Sequence, residues 1–143
     1  TPLFVACQKG HLECAQLLRG AGADINQAMN GGATPLFVAC QKGHLECAQL
    51  LLEASASVGQ ADKDGVTPLL IACQEGRLEC AQLLLEAGAS ASQARNDGVT
   101  PLLIACEKGH VDIARLLLDT GAAVGQAEDT GVTPLCIACE EGR

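Results

Sequence analysis

The stretch TPLFVACQKGHLECAQLL occupies residues 1–18 and recurs unchanged at residues 34–51. A catalytic centre needs unlike groups brought together once, so verbatim repetition points to stacking rather than to chemistry. The triplet Thr-Pro-Leu that opens the passage returns at Thr1, Thr34, Thr67, Thr100 and Thr133, each 33 residues after the last. A fixed period of that size marks an array of small units that bury their apolar faces on one another. The register divides residues 1–143 into a single array: units 1–33, 34–66, 67–99 and 100–132, then a partial unit 133–143.

One unit is readable residue by residue. Thr1 suits a helix N-cap, its hydroxyl accepting from a free first-turn N–H. Pro2 suits the first helical position, where a missing N–H costs nothing. Leu3, Ala6 and Cys7 then share one helical face. Gly10 ends this helix and His11 sits in the turn. A second helix starts near Leu12 and directs Cys14, Ala15, Leu17 and Leu18 toward the first, with Gly22 placed for a left-handed residue past its end. Gly32, Gly65, Gly98 and Gly131 close a projecting segment, preceded in two units by Asp64 and Asp97, an Asp-Gly turn signal. Helices this short are unstable alone, since about 12–15 residues are needed for marginal stability in water. The expectation is an all-α solenoid of helix-turn-helix units with short β-hairpin loops.

Those residues carry a family resemblance. TPLFVACQKGH, followed by LECAQLL and GAD, resembles the ankyrin repeat, whose period is 33 and whose signature is T-P-L-H-x-A. The resemblance spans the chain and recurs in each unit. It implies a non-enzymatic module that binds another protein through its hairpin tips and the concave face of its first helices. The sequence departs from the family at the signature His, replaced by Phe4, Phe37, Leu70, Leu103 and Cys136, where apolar packing is expected instead. It departs again at Ser55, which stands where Gly22, Gly88 and Gly121 stand in other units. If that position requires positive φ, Ser costs about 1 kcal/mol relative to Gly.

Composition narrows the functional classes. Apolar residues make up 48% of the chain, too many for a disordered polymer, yet Phe4 and Phe37 are its only aromatics. Such a core favours close helix packing over a large ligand cavity. With 17 acidic and 9 basic residues the net charge is −8, which disfavours nucleic-acid binding, where affinity comes from neutralising phosphates. No apolar run approaches the ~18 residues of a membrane span, and no signal peptide is visible. The start at Thr1 and the stop at Arg143 within a unit are expected of a piece of a longer polypeptide.

Nine cysteines raise the question of a metal or disulfide framework, and Cys136 and Cys139 spell a CxxC. Eight of the nine fall at two repeat positions: Cys7, Cys40, Cys73, Cys106 and Cys139, and Cys14, Cys47 and Cys80. Equivalent residues of neighbouring units lie about 8–10 Å apart, beyond the ~7 Å Cα reach of a disulfide. Zinc needs four converging ligands, while His11, His44 and His110 fall in turns. Buried Cys packs as a small hydrophobe, so no metal and no cofactor are expected, with the CxxC as the site where thiols are most reactive. Abundant thiols suit a reducing compartment, cytoplasmic or nuclear.

No phosphate loop, nucleophile elbow or HExxH helix appears. Glu13, Glu46, Glu79 and Asp112 open the second helices, where negative charge suits the helix dipole. Carried onto this chain, the family's binding positions are Gln8, Lys9, Gln41, Lys42, Gln74, Glu75, Glu107 and Lys108 on the first helices, with Glu140 and Glu141 in the partial unit. At the hairpins they are Asn30, Lys63, Asp64, Arg95, Asn96, Asp97, Asp129 and Thr130, with Met29 and Arg95 as the best anchors. The set lacks Trp and Tyr and is poor in Arg, the residues that dominate interface energetics, so modest affinity for a polar or basic protein is expected. Two alternatives stand beside this reading. One is a spacer or assembly element associating end to end, since repeat arrays carry polar caps and none is visible. The other is hydroxylation of Asn26, whose setting of Leu18, Asp24 and Ile25 resembles that of asparaginyl hydroxylase substrates in ankyrin hairpins.

Overall fold

A computed structural model describes residues 1–126, 129 and 131–134. Eight α-helices lie among the described residues: α1 (Pro2–Lys9), α2 (Leu12–Gly20), α3 (Pro35–Lys42), α4 (Leu45–Glu53), α5 (Pro68–Gln74), α6 (Leu78–Glu86), α7 (Pro101–Lys108) and α8 (Val111–Asp119). None exceeds 9 residues. The extensive packing contacts are of two kinds only. Helices pair within a unit, and each helix packs on its equivalent in the next unit, α1 on α3 on α5 on α7 and α2 on α4 on α6 on α8. The first helices pack on each other more extensively than the second ones do. Units therefore stack in a line and do not fold back.

The repeated letters explain the boundaries. Thr1, Thr34, Thr67 and Thr100 each accept, through Oγ1, the backbone N–H three residues on, at 3.1–3.2 Å. Proline occupies the first helical turn in every case. Thr34, Thr67 and Thr100 are buried, so this bond removes an unpaired donor from the core as well as starting a helix. The cap operates without the signature His. In its place Leu70 and Leu103 are 0% and 1% exposed and Phe37 is 7% exposed, so an apolar side chain fills the volume. Gly10, Gly43 and Gly109 end first helices in the left-handed region. The first three projecting segments are hairpin-like turns, each closed by two backbone bonds, such as Asp62 N–H to Val66 O at 3.0 Å and Gly65 N–H to Asp62 O at 3.1 Å. No run reaches strand length among the described residues.

Burial follows position in the line. In α3 every residue from Pro35 to Cys40 is buried, whereas in α1 only Leu3, Ala6 and Cys7 are. Interior first helices are covered on both sides; the first one is covered on one. Leu36, Leu69 and Leu102 are 1–2% exposed, each contributing about 1.5–3 kcal/mol of burial. The same end effect corrects the expected packing of α2. Cys14 is exposed and Leu17 is 75% exposed, while their equivalents Cys47 and Leu50 are buried. These positions face the preceding unit rather than their own first helix.

A side-chain latch ties each turn to the unit before it. His44 Nε2 lies 3.2 Å from Gln8 O, Arg77 Nε donates to Gln41 O at 3.3 Å, and His110 Nε2 lies 3.1 Å from Gln74 O. The acceptors are carbonyls at the ends of first helices, which lack partners within the helix. The ring approaches so closely that a Cβ on Gly10 would stand 2.6 Å from His44 Nδ1.

Ser55 has φ of 62°, the only positive φ outside glycine among the described residues. Substitution Ser55→Gly is expected to raise stability by about 1 kcal/mol, read as a higher urea midpoint with an unchanged slope. An unchanged or lower midpoint would remove the strain assigned to this position. Thiol labelling under native conditions should modify Cys14 well before Cys73, followed by mass spectrometry of tryptic peptides. Cys136 and Cys139, where the fastest labelling was expected from sequence, lie outside the described residues.

Candidate protein-binding surface

Two rows of side chains stand clear of the packing. Lys9, Lys42, Glu75, Glu107 and Lys108 are exposed at the ends of the first helices, beside the half-buried Gln8, Gln41 and Gln74. Asn30, Lys63, Asp64, Asn96, Asp97 and Asp129 are exposed at the projecting turns, and Arg95 is half-buried there. Thr130, Glu140 and Glu141 lie outside the described residues. Both rows follow from repetition: one frame repeated every unit places unlike polar residues at equal intervals. On the helix row, Gln74 Nε2 donates to Glu75 Oε1 at 3.2 Å and Lys108 pairs with Glu107 at 3.2 Å. Lys9, Lys42 and Lys63 form no ion pair among the described residues.

The turn row is held by backbone. Lys63 N–H donates to Gly31 O at 3.1 Å, Asn96 N–H to Asp64 O at 3.0 Å and Asp129 N–H to Asp97 O at 3.0 Å. Asn96 Nδ2 adds a bond to Lys63 O at 3.0 Å. The contact is close enough to require glycine: Gly65 has φ of 83°, and a Cβ there would stand 2.8 Å from Asn96 N. Each tip is thereby fixed to the next. Between the second and third tips, Asp64, Val66, Arg95, Asn96 and Asp97 line an open cleft of about 350 Å³.

Charge in the cleft is set by Arg95 and Asp97. Arg95 Nε donates to Asp97 Oδ1 at 2.8 Å, and Nη2 contacts Oδ2 in a fork. This hydrogen bonding, assisted by the Val99 N–H, holds the Asp97 carboxyl down to about 2. The guanidinium expected as an anchor is thus already engaged, and Asp97 stays ionised through any physiological range. Sequence reading missed the pair because both residues were weighed singly, although their two-residue spacing across a tight turn carried the signal. Asn26, half-buried, is similarly occupied: its Oδ1 accepts from Ser57 N–H at 2.8 Å and its N–H donates to Asp24 Oδ1 at 2.9 Å.

Seven cysteines lie among the described residues as free thiols, and no group of three or more His, Cys, Asp or Glu gathers there in a metal-binding arrangement. No helix among the described residues is long and apolar enough to cross a membrane.

Comparison with known families agrees with the architecture. The family model described as ankyrin repeats (3 copies) matches residues 3–95 and 90–143. The chain belongs to the ankyrin repeat family, whose repeats are generally protein–protein interaction modules on a non-catalytic fold. No curated protein matches it.

Because the Asp97 pKa is lowered, the pair contributes above the ordinary carboxylate range near ~3.9, and its contribution is lost as pH falls toward about 2. Substitution Arg95→Met should return the Asp97 midpoint toward that range by about one unit or more, followed by carboxyl NMR titration. An unmoved midpoint would assign the shift to the backbone bond instead.

Proposed function

We propose that this array is a scaffold or adaptor that recognises another protein, with no catalysis of its own. The observation that carries the reading is the regular display of differing polar side chains on an invariant frame. Lys9, Lys42, Glu75 and Lys108 occupy one helix row, and Asn30, Lys63, Asn96 and Asp129 occupy equivalent tip positions. The binding residues are those two rows, Gln8, Lys9, Gln41, Lys42, Gln74, Glu75, Glu107 and Lys108 with Asn30, Lys63, Asp64, Arg95, Asn96, Asp97, Asp129 and Thr130. The partner is a protein with a basic or polar surface: Asp64, Asp97 and Asp129 are exposed along the tips, and the net charge is −8. Such contacts gain mainly in specificity and association rate, and weaken as salt is added. The thiols that serve as core residues favour a reducing compartment, cytoplasmic or nuclear.

End-to-end association of copies is a second reading with one observation in its favour. Val5 is 51% exposed and Leu17 75%, whereas Val38 and Leu50, identical in sequence context, are buried at 2% and 6%. The unit of a second copy would fit the face that an equivalent unit covers at Val38 and Leu50. A concentration series in light scattering separates a monomer from growing chains.

Quantitative capture of proteins from a cell extract, comparing the wild type with an Asp64→Lys/Asp97→Lys variant, tests the main reading. The expected result is a set of captured proteins retained by the wild type and lost from the variant, with an unchanged helical circular-dichroism spectrum at the capture temperature. Equal capture by both would remove the tips from recognition.

A further inference from the structure

The first tip, residues 29–33, leaves unbonded two groups that the other tips engage. The asparagines of the chain are Asn26, Asn30 and Asn96, all in turns, and their surroundings differ. Asn26 Oδ1 accepts from Ser57 N–H at 2.8 Å, and Asn96 Nδ2 donates to Lys63 O at 3.0 Å. The Asn30 carboxamide is exposed and has no hydrogen-bond partner among the described residues. Asn30 also precedes a glycine, whereas Gln27 follows Asn26 and Asp97 follows Asn96. Gly31 is exposed with open space around it, so no side chain stands between the carboxamide and the next backbone nitrogen.

That nitrogen is free as well. The turn is closed by Met29 N–H to Ala33 O at 2.9 Å and by Gly32 N–H to Met29 O at 2.8 Å. The Gly31 N–H is left without an acceptor among the described residues. In the second tip the equivalent N–H, that of Asp64, donates to Asp62 Oδ1 at 3.0 Å. Met29 holds the place of Asp62 and offers no oxygen. The related Asp-Gly steps are also tied: Gly65 N–H and Gly98 N–H donate to turn carbonyls at 3.1 and 2.9 Å.

We propose that Asn30 is a modification site, its amide converted to a carboxylate by water through cyclisation onto the Gly31 nitrogen. Asparagine is among the thermolabile side chains, and glycine gives the backbone the freedom that ring closure needs. The Gly31 N–H gives its proton to a base in solvent, and the nitrogen attacks Asn30 Cγ. The N–Cγ bond forms, the Cγ–Nδ2 bond breaks, and Nδ2 takes a proton from water and leaves as ammonia. Water then opens the cyclic imide at either carbonyl. Opening at Cγ leaves aspartate; opening at the Asn30 backbone carbonyl leaves isoaspartate. One water enters and one ammonia leaves, with no oxidation or reduction. The backbone bond from another unit that resists the motion is Lys63 N–H to Gly31 O at 3.1 Å. The aspartate product matches Asp129, the equivalent residue of the fourth unit, and adds a negative charge to the tips. The isoaspartate product lengthens the main chain by one methylene ahead of the carbonyl that holds Lys63. Neither outcome depends on the tips binding a partner.

The full chain is held in mildly alkaline buffer made in heavy-oxygen water, digested with pepsin in acid and mapped by tandem mass spectrometry. The expected result is a labelled carboxylate at residue 30, in aspartyl and isoaspartyl forms, while Asn26 and Asn96 remain amides. Gly31→Ala, for which the structure has room, should slow the conversion many-fold. Met29→Asp, which supplies the acceptor present at Asp62, should slow it more in the folded chain than in urea, where only its charge acts. An Asn30 still in amide form when the free peptide 28–33 has converted completely overturns the proposal. So does conversion of Asn96 at the same rate, or a folded Met29→Asp chain that converts as fast as the wild type.

Discussion

The structure depends on burial between neighbouring units. Helices of at most 9 residues gain too few internal hydrogen bonds to offset nucleation, so the apolar faces of α1, α3, α5 and α7 hold their shape only against one another. Everything else is arranged around that contact. The Thr caps satisfy the donors that such short helices expose, and small residues such as Ala39, Ala72 and Ala105, all at 0% exposure, let backbones approach. Cysteine serves the same end, filling space near Ala without the bulk of a branched chain. Stability in such an array is close to a sum of unit and interface contributions.

The tips obey the same logic in a different material. There the joint between tips is mainly backbone hydrogen bonding and glycine, while Val66 and Val99 anchor the bases of their turns to the core. Lys63, Asn96 and Asp129 give their N–H groups to the preceding turn, so backbone makes most of the joint and Asn96 Nδ2 adds one side-chain bond. A surface held in this way can vary in charge without disturbing the core, and Arg95 with Asp97 illustrates the point. Their fork pairs two opposite charges at the cleft, beside the carboxylate of Asp64.

Much of this was legible in the sequence. Thr34, Pro35 and Gly43 bound their helix where spacing placed it, and Ser55 adopts the positive φ inferred from its glycine equivalents. What could not be read was anything set by place in the line rather than by place in the unit. Cys14 and Cys47 sit in the same eighteen letters, yet one is exposed and the other buried, because residues 1–33 pack over the second. The latch from His44 to Gln8 spans 36 residues, and only the fold brings those two together.

That latch accepts two different residues at one place, imidazole at His44 and His110 and guanidinium at Arg77. The junction is therefore a standard coupling, the same whichever module stands on either side. A gene that copies, deletes or reorders whole modules would leave every joint intelligible to its neighbours, so the reach of the molecule can change by increments without redesigning its interior.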